Sequence, residues 1–128
     1  MNVLLILFFS TLGTVAVAHF AALHFFWYWK YTWIDMPIHM LGGVSVSLGL
    51  SILPFFRVSL PPRLRTLIGC VAIVFIVGVA WEIFEIFAGA VVFDSEYPLD
   101  TLTDLCMDVL GGTIGYVVAQ SVRRLEGE

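Results

Sequence analysis

A chain of 128 residues that is 60% hydrophobic and 12% charged, with a mean hydropathy of +0.99, lacks the charge to clothe a water-facing globule, in which about 25% of residues are charged. The solvent for most of it is therefore lipid. Six Lys and Arg against ten Asp and Glu, a formal net charge of −4, exclude nucleic acid as a partner, and 15% aromatic content in long apolar runs excludes disorder.

The first apolar stretch runs from about Val3 to Phe26 and ends in the aromatic cluster Trp27, Tyr28, Trp29, Tyr31 and Trp33. Ala16-Val17-Ala18 resembles a signal-peptidase site. No Lys or Arg precedes it and the apolar run continues past it, so the stretch is read as a retained span. His19 and His24 are five apart and face different ways, so at most one of them can join a site on a neighbouring helix. His24 is kept as an additional candidate.

The second span, from about Met36 to Phe56, opens with Asp35-x3-His39-x-Leu41-Gly42-Gly43. Asp35 before Met36-Pro37 also fits an N-cap with proline in the first turn. A short loop with Arg57, Arg63 and Arg65 is stiffened by Pro61-Pro62. The third span, about Leu67 to Phe93, is the most apolar, yet it carries Glu82 and Glu85. Asp94 and Glu96 read as solvated loop charges. The fourth span, from about Leu102 to Val122, has Asp104 and Asp108 in its first half and is followed by Arg123 and Arg124. Asp100 is either a further member of that acidic series or a cap, and Thr101-x-x-Asp104 fits a capping-box variant.

At about 1.5 Å per residue each stretch can cross a ~30 Å hydrocarbon core. Four barrel strands could not close, so helices are the spanning option. The expected fold is all-α: one polytopic transmembrane domain over residues 1–128 with four helices. Arginines between spans two and three and after span four place both termini in the cytoplasm of a bacterial cell, with the chain in its cytoplasmic (inner) membrane. Cys70 and Cys106 then lie toward opposite faces and cannot bridge, and no CxxC spacing exists.

Spans two and four share a pattern at an offset of 69: Asp35, His39, Leu41, Gly42 and Gly43 match Asp104, Asp108, Leu110, Gly111 and Gly112. Both segments run in the same direction. The match predicts two helical hairpins related as a parallel repeat about an axis along the membrane normal.

Carboxylates inside lipid need a partner, since an isolated one near the bilayer centre costs at least ~2.5–3.5 kcal/mol. No Lys or Arg lies within any span. Glu82 and Glu85 are i and i+3, Asp104 and Asp108 i and i+4, and Asp35 and His39 i and i+4, so each pair shares one helix face. Those faces continue through Gly78 and Gly89, through Gly111, Gly112, Gly115 and Ala119, and through Gly42, Gly43 and Val46, small enough for helices to approach closely. The acids are expected to meet one another. Three means of neutralising them stay open: a bound divalent metal, shared protons or a proton relay, and purely structural hydrogen bonding. Metal is favoured, with Asp35, His39, Glu82, Glu85, Asp104 and Asp108 as ligands. Hard oxygens with one imidazole suit Mg²⁺, Mn²⁺, Ca²⁺ or iron.

Asp35/His39, then Trp81/Glu82/Glu85, then Asp100/Asp104/Asp108 with Gly111 and Gly112, resemble the pattern of the YjdF-like family of small uncharacterised bacterial inner-membrane proteins, with a fainter likeness to VanZ-like proteins. The resemblance covers about residues 31–120 and brings no established activity. Three functions remain from the residues: a metal-dependent enzyme acting on a membrane lipid or lipid-linked phosphate, ranked first; a proton or divalent-cation transporter or channel, which would require a homo-oligomer; and a non-catalytic membrane partner subunit.

Overall fold

The computed structural model describes residues 2–88 and 97–127, and within them it is helical with no strand. Helix α1 spans Asn2–His24, the one-turn α2 Trp27–Lys30, α3 Asp35–Ile52, α4 Leu67–Ala88 and α5 Tyr97–Glu126. Four are long and apolar enough to cross a membrane: Val3–His24, Asp35–Phe56, Leu67–Phe87 and Pro98–Glu126. Their outward faces carry bulky apolar side chains such as Phe20, Ile68, Ile76 and Phe87, as a lipid-facing surface requires and a water-facing one does not tolerate in such quantity.

Local chemistry explains the breaks. Phe26 takes a left-handed conformation (φ 57°) after α1, which turns the chain into α2. Single-turn 3₁₀ segments at Leu53–Phe56 and Pro62–Arg65 flank the arginine loop, and Arg57 ends the first with φ 60°. Thr66 caps α4, its hydroxyl accepting from the Gly69 N–H at 3.1 Å. Gly69 is required there because a Cβ would strike the Arg63 carbonyl. Two capping expectations are corrected. Asp35 lies inside the first turn of α3 and no side chain caps that helix. Helix α5 starts at Tyr97, so Asp100 sits in its first turn and Thr101 lies within the helix. Gly89, Asp94 and Glu96, and the end of the third expected span at Phe93, lie outside the described residues.

Helices α3 and α5 pack most closely, with α1 against α3 and α4 against α5. The α3–α5 crossing is backbone on backbone. A Cβ on Gly43 would meet the Asp108 carbonyl and, at 2.8 Å, the Gly112 nitrogen, and one on Gly111 would meet the Met40 carbonyl. Ser47 stitches three helices there, donating to the Gly112 carbonyl at 2.6 Å with its oxygen 3.0 Å from Cys70 Sγ. Farther along, Leu4, Leu48, Ile52 and Ala119 form the apolar core, and Arg123 donates to the Ser51 carbonyl at 2.6 Å. These contacts fix the directions: α1 starts, α3 ends, α4 starts and α5 ends at one end of the bundle, which carries the arginines. The buried acids Glu82, Asp104 and Asp108 lie toward the other.

Candidate functional site

Four residues on three helices build the buried part of the site. His39 projects from the second turn of α3, Glu82 from α4, and Asp104 and Asp108 from one face of α5; their relative exposures are 5%, 6%, 3% and 6%. Asp35 stands one turn before His39, and Glu85 one turn beyond Glu82, both half-buried. The small residues of these faces let the acids in. Asp108 occupies the space that a side chain at Gly78 would fill, and its other oxygen lies 3.9 Å from where a Cβ on Gly42 would be.

His39 is the hub. Its Nδ1 lies 3.2 Å from Asp108 Oδ2, a contact in which the ring N–H donates to the carboxylate. Nε2 then faces the remaining acids, 3.6 Å from Asp35 Oδ1 and 3.8 Å from Glu82 Oε1. Among the described residues, His39 is the one cation-capable side chain within ion-pairing distance of these carboxylates. Glu82 is anchored by its other oxygen, which accepts from the Thr101 hydroxyl at 2.8 Å. The atoms left facing inward have no hydrogen-bond partner: His39 Nε2, Glu82 Oε1 and Asp104 Oδ1, all fully buried. Buried polar atoms are rarely left so.

Two sets of side chains have ligand atoms within 4.8 Å of one another and could hold a metal ion: Asp35, His39 and Asp104, and His39, Glu82 and Glu85. Both use His39. Because Asp108 engages Nδ1, one ring nitrogen is left to serve them, so they describe one centre. Asp108 belongs to neither set and acts on the imidazole from behind, fixing its tautomer and orientation. Asp100 is exposed in the first turn of α5 and lies in neither set. His24 is exposed and stacks edge-on against Phe25.

Sequence reasoning missed two neighbours, Tyr28 and, as the partner of Glu82, Thr101. Thr101 holds Glu82 rather than capping α5. The turn at Phe26 brings Tyr28 back over α1, where its hydroxyl lies 2.7 Å from His19 Nδ1, and His19 meets Trp81 edge-on at 5.3 Å between ring centres. Burial pushes the Tyr28 phenol well above its ordinary range, and the charges of Asp35, Glu85 and Asp104 push it further. The hydroxyl therefore stays protonated beside the site. Aromatic residues just past a span end were the available signal for Tyr28; nothing in the spacing marked Thr101 as the partner of Glu82.

On the arginine side of the cluster the bundle closes. The glycine crossing, then Ser47, then Leu48, Ile52, Leu4 and Ala119 fill the interior.

The family described as "Predicted membrane protein (DUF2238)" matches residues 1–124. No curated protein and no solved structure matches the chain.

Proposed function

We propose, from the premise that this chain belongs to the DUF2238 family of predicted membrane proteins, that its carboxylate/His cluster holds a divalent cation. The cation would serve a metal-dependent enzyme acting on a lipid or lipid-linked phosphate. One observation carries the reading: an imidazole nitrogen and two carboxylate oxygens from three helices are buried without a hydrogen-bond partner, and the His39 imidazole has carboxylate oxygens of Asp104 and of Glu82 within 4.8 Å, one on each of the two neighbouring helices. An imidazolium at His39 would balance only one of five carboxylates (Asp35, Glu82, Glu85, Asp104, Asp108), whereas a divalent ion on neutral His39 balances two and uses the orphaned Nε2 and carboxylate lone pairs directly. Hard oxygen donors with one nitrogen fit Mg²⁺, Mn²⁺, Ca²⁺ or iron. A cation so held supplies positive charge to polarise a phosphoryl oxygen or to acidify water. Asp108 orients His39, Thr101 holds Glu82, and half-buried Asp35 and Glu85 form the edge that a ligand would meet.

The packed interior favours an enzyme over a conduit, since a path from the acids to the arginine end would have to part the Gly43–Gly111–Gly112 contact. Charge distribution supports the cytoplasmic membrane with the arginine end in the cytoplasm and the acids in the outer half of the bilayer. The parallel repeat draws support from positions 69 apart that face each other, His39 with Asp108 and Gly43 with Gly112.

The test is phosphate release from a panel of lipid phosphates by the protein in nanodiscs, with each divalent metal and with EDTA. Metal-dependent turnover lost in Glu85→Gln is expected. Absence of turnover across the panel, with metal still raising Tm, would assign the chain as a non-catalytic partner instead. Cation uptake into proteoliposomes would assign it as a transporter.

A further inference from the structure

The second site lies at the opposite end of the bundle and is independent of the metal reading. A cavity of about 290 Å³ opens between the end of α3, the arginine loop, the start of α4 and the last third of α5. Leu50, Pro54, Leu60 and Leu64 give it apolar walls, and Arg65 and Arg123 supply its charge.

Both guanidiniums are held in place by the main chain. Arg123 Nη2 donates to the Ser51 carbonyl at 2.6 Å, and Arg65 Nε donates to the Leu60 carbonyl at 2.7 Å. A guanidinium has five N–H donors, so each keeps most of its donors for a ligand while its position is fixed. Tyr116, also on the lining, ties α5 to the loop through its hydroxyl, which donates to the Arg65 carbonyl at 3.3 Å.

We propose that this cavity binds the headgroup of an anionic phospholipid, with Arg65 and Arg123 taking the phosphate and the leucine walls taking the first acyl segment. Two fixed, planar donor groups match the oxygens of a phosphodiester. The volume is at the small end of the roughly 300–1,000 Å³ range of small-molecule sites, enough for a headgroup and the start of a chain. A soluble phosphate ester would have no use for leucine and proline walls at the end of membrane-spanning helices. Five of the six basic residues of the chain lie at this end, which concentrates anionic lipid there.

The experiment uses the full chain in nanodiscs of phosphatidylcholine with and without phosphatidylglycerol. Native mass spectrometry counts retained phosphatidylglycerol, and a photoactivatable phosphatidylglycerol maps its contacts. Cross-links on wild-type protein are expected within residues 50–54, 60–65 and 116–123. Retention should fall about tenfold in R65Q/R123Q, the order expected from losing a charge-assisted hydrogen bond to the phosphate, and should persist in R63Q/R124Q, which removes the same charge outside the cavity. Cross-links elsewhere, or equal loss in both double variants, would overturn the assignment. So would displacement of the lipid by millimolar glycerol phosphate, which would give the site to a soluble ester. Because the mapping uses wild-type protein, a misfolded variant does not remove the test.

Discussion

His39 decides the chemistry of the site because its two nitrogens do different things. Asp108 accepts a hydrogen bond from Nδ1–H, which keeps the proton on that nitrogen and leaves a lone pair on Nε2, aimed at Asp35 and Glu82. Replacing His39 by Asn should abolish metal binding. Asp108→Asn, which keeps the shape and removes the charge behind the ring, should weaken it about 10- to 100-fold, the usual cost of losing a partner of a ligating histidine. Isothermal titration with Mn²⁺ checks both, and equal affinity in Asp108→Asn and wild type would contradict the role given to Asp108. Tyr28 gives a pH prediction: its phenol should not ionise near the ordinary Tyr value of about 10, so the absorbance titration of Tyr28→Phe should differ from wild type only at higher pH. The acids themselves were legible in the sequence, because Glu82, Asp104 and Asp108 sit in apolar helices with no basic residue to explain them. Thr101 was not. A helical threonine ordinarily bonds its own i−4 carbonyl, as Thr103 and Thr113 do here, and only the approach of α4 gives Thr101 a better acceptor.

At the level of helices, the α3–α5 contact positions the site. Lipid gives no hydrophobic drive between helices, so close backbone approach through small residues must hold them together. Gly111→Val would push a side chain into the Met40 carbonyl and should destabilise the fold by about 1–3 kcal/mol, as overpacking does. Gly13→Val, on a face where nothing lies within 4 Å, should leave thermal unfolding in detergent unchanged. Equal losses in the two variants would mean that the crossing is not special. Gly78→Ala should displace the Asp108 carboxylate that fills its space, lowering metal affinity more than stability. The helical spans were readable from hydropathy, but the start of α5 was not. Hydropathy reports contact with lipid, whereas Asp100 and Thr101 are polar residues that continue the helix beyond the apolar stretch.

Along the bundle axis, the arginines lie at one end and the acids of the membrane-spanning helices that build the site toward the other, a sorting already visible in the sequence. What the sequence did not contain was the closure between the two ends, which depends on side chains far apart in the chain, such as Leu4 against Leu48 and Ala119. Cysteine labelling tests the orientation: in a Cys70→Ala/Cys106→Ala background, Arg63→Cys should react with an impermeant maleimide only from the cytoplasm and Trp33→Cys only from outside, and the reverse pattern would invert the topology. The central claim, that three helices bring their acids together around a cation, is tested most directly by elemental analysis of the purified chain beside Glu82→Gln, Glu85→Gln and Asp104→Asn. We predict about one divalent ion per wild-type chain, as a single carboxylate/His centre would hold, and substantially less in each variant; equal metal content in all four proteins, or none in wild type after loading, would contradict it.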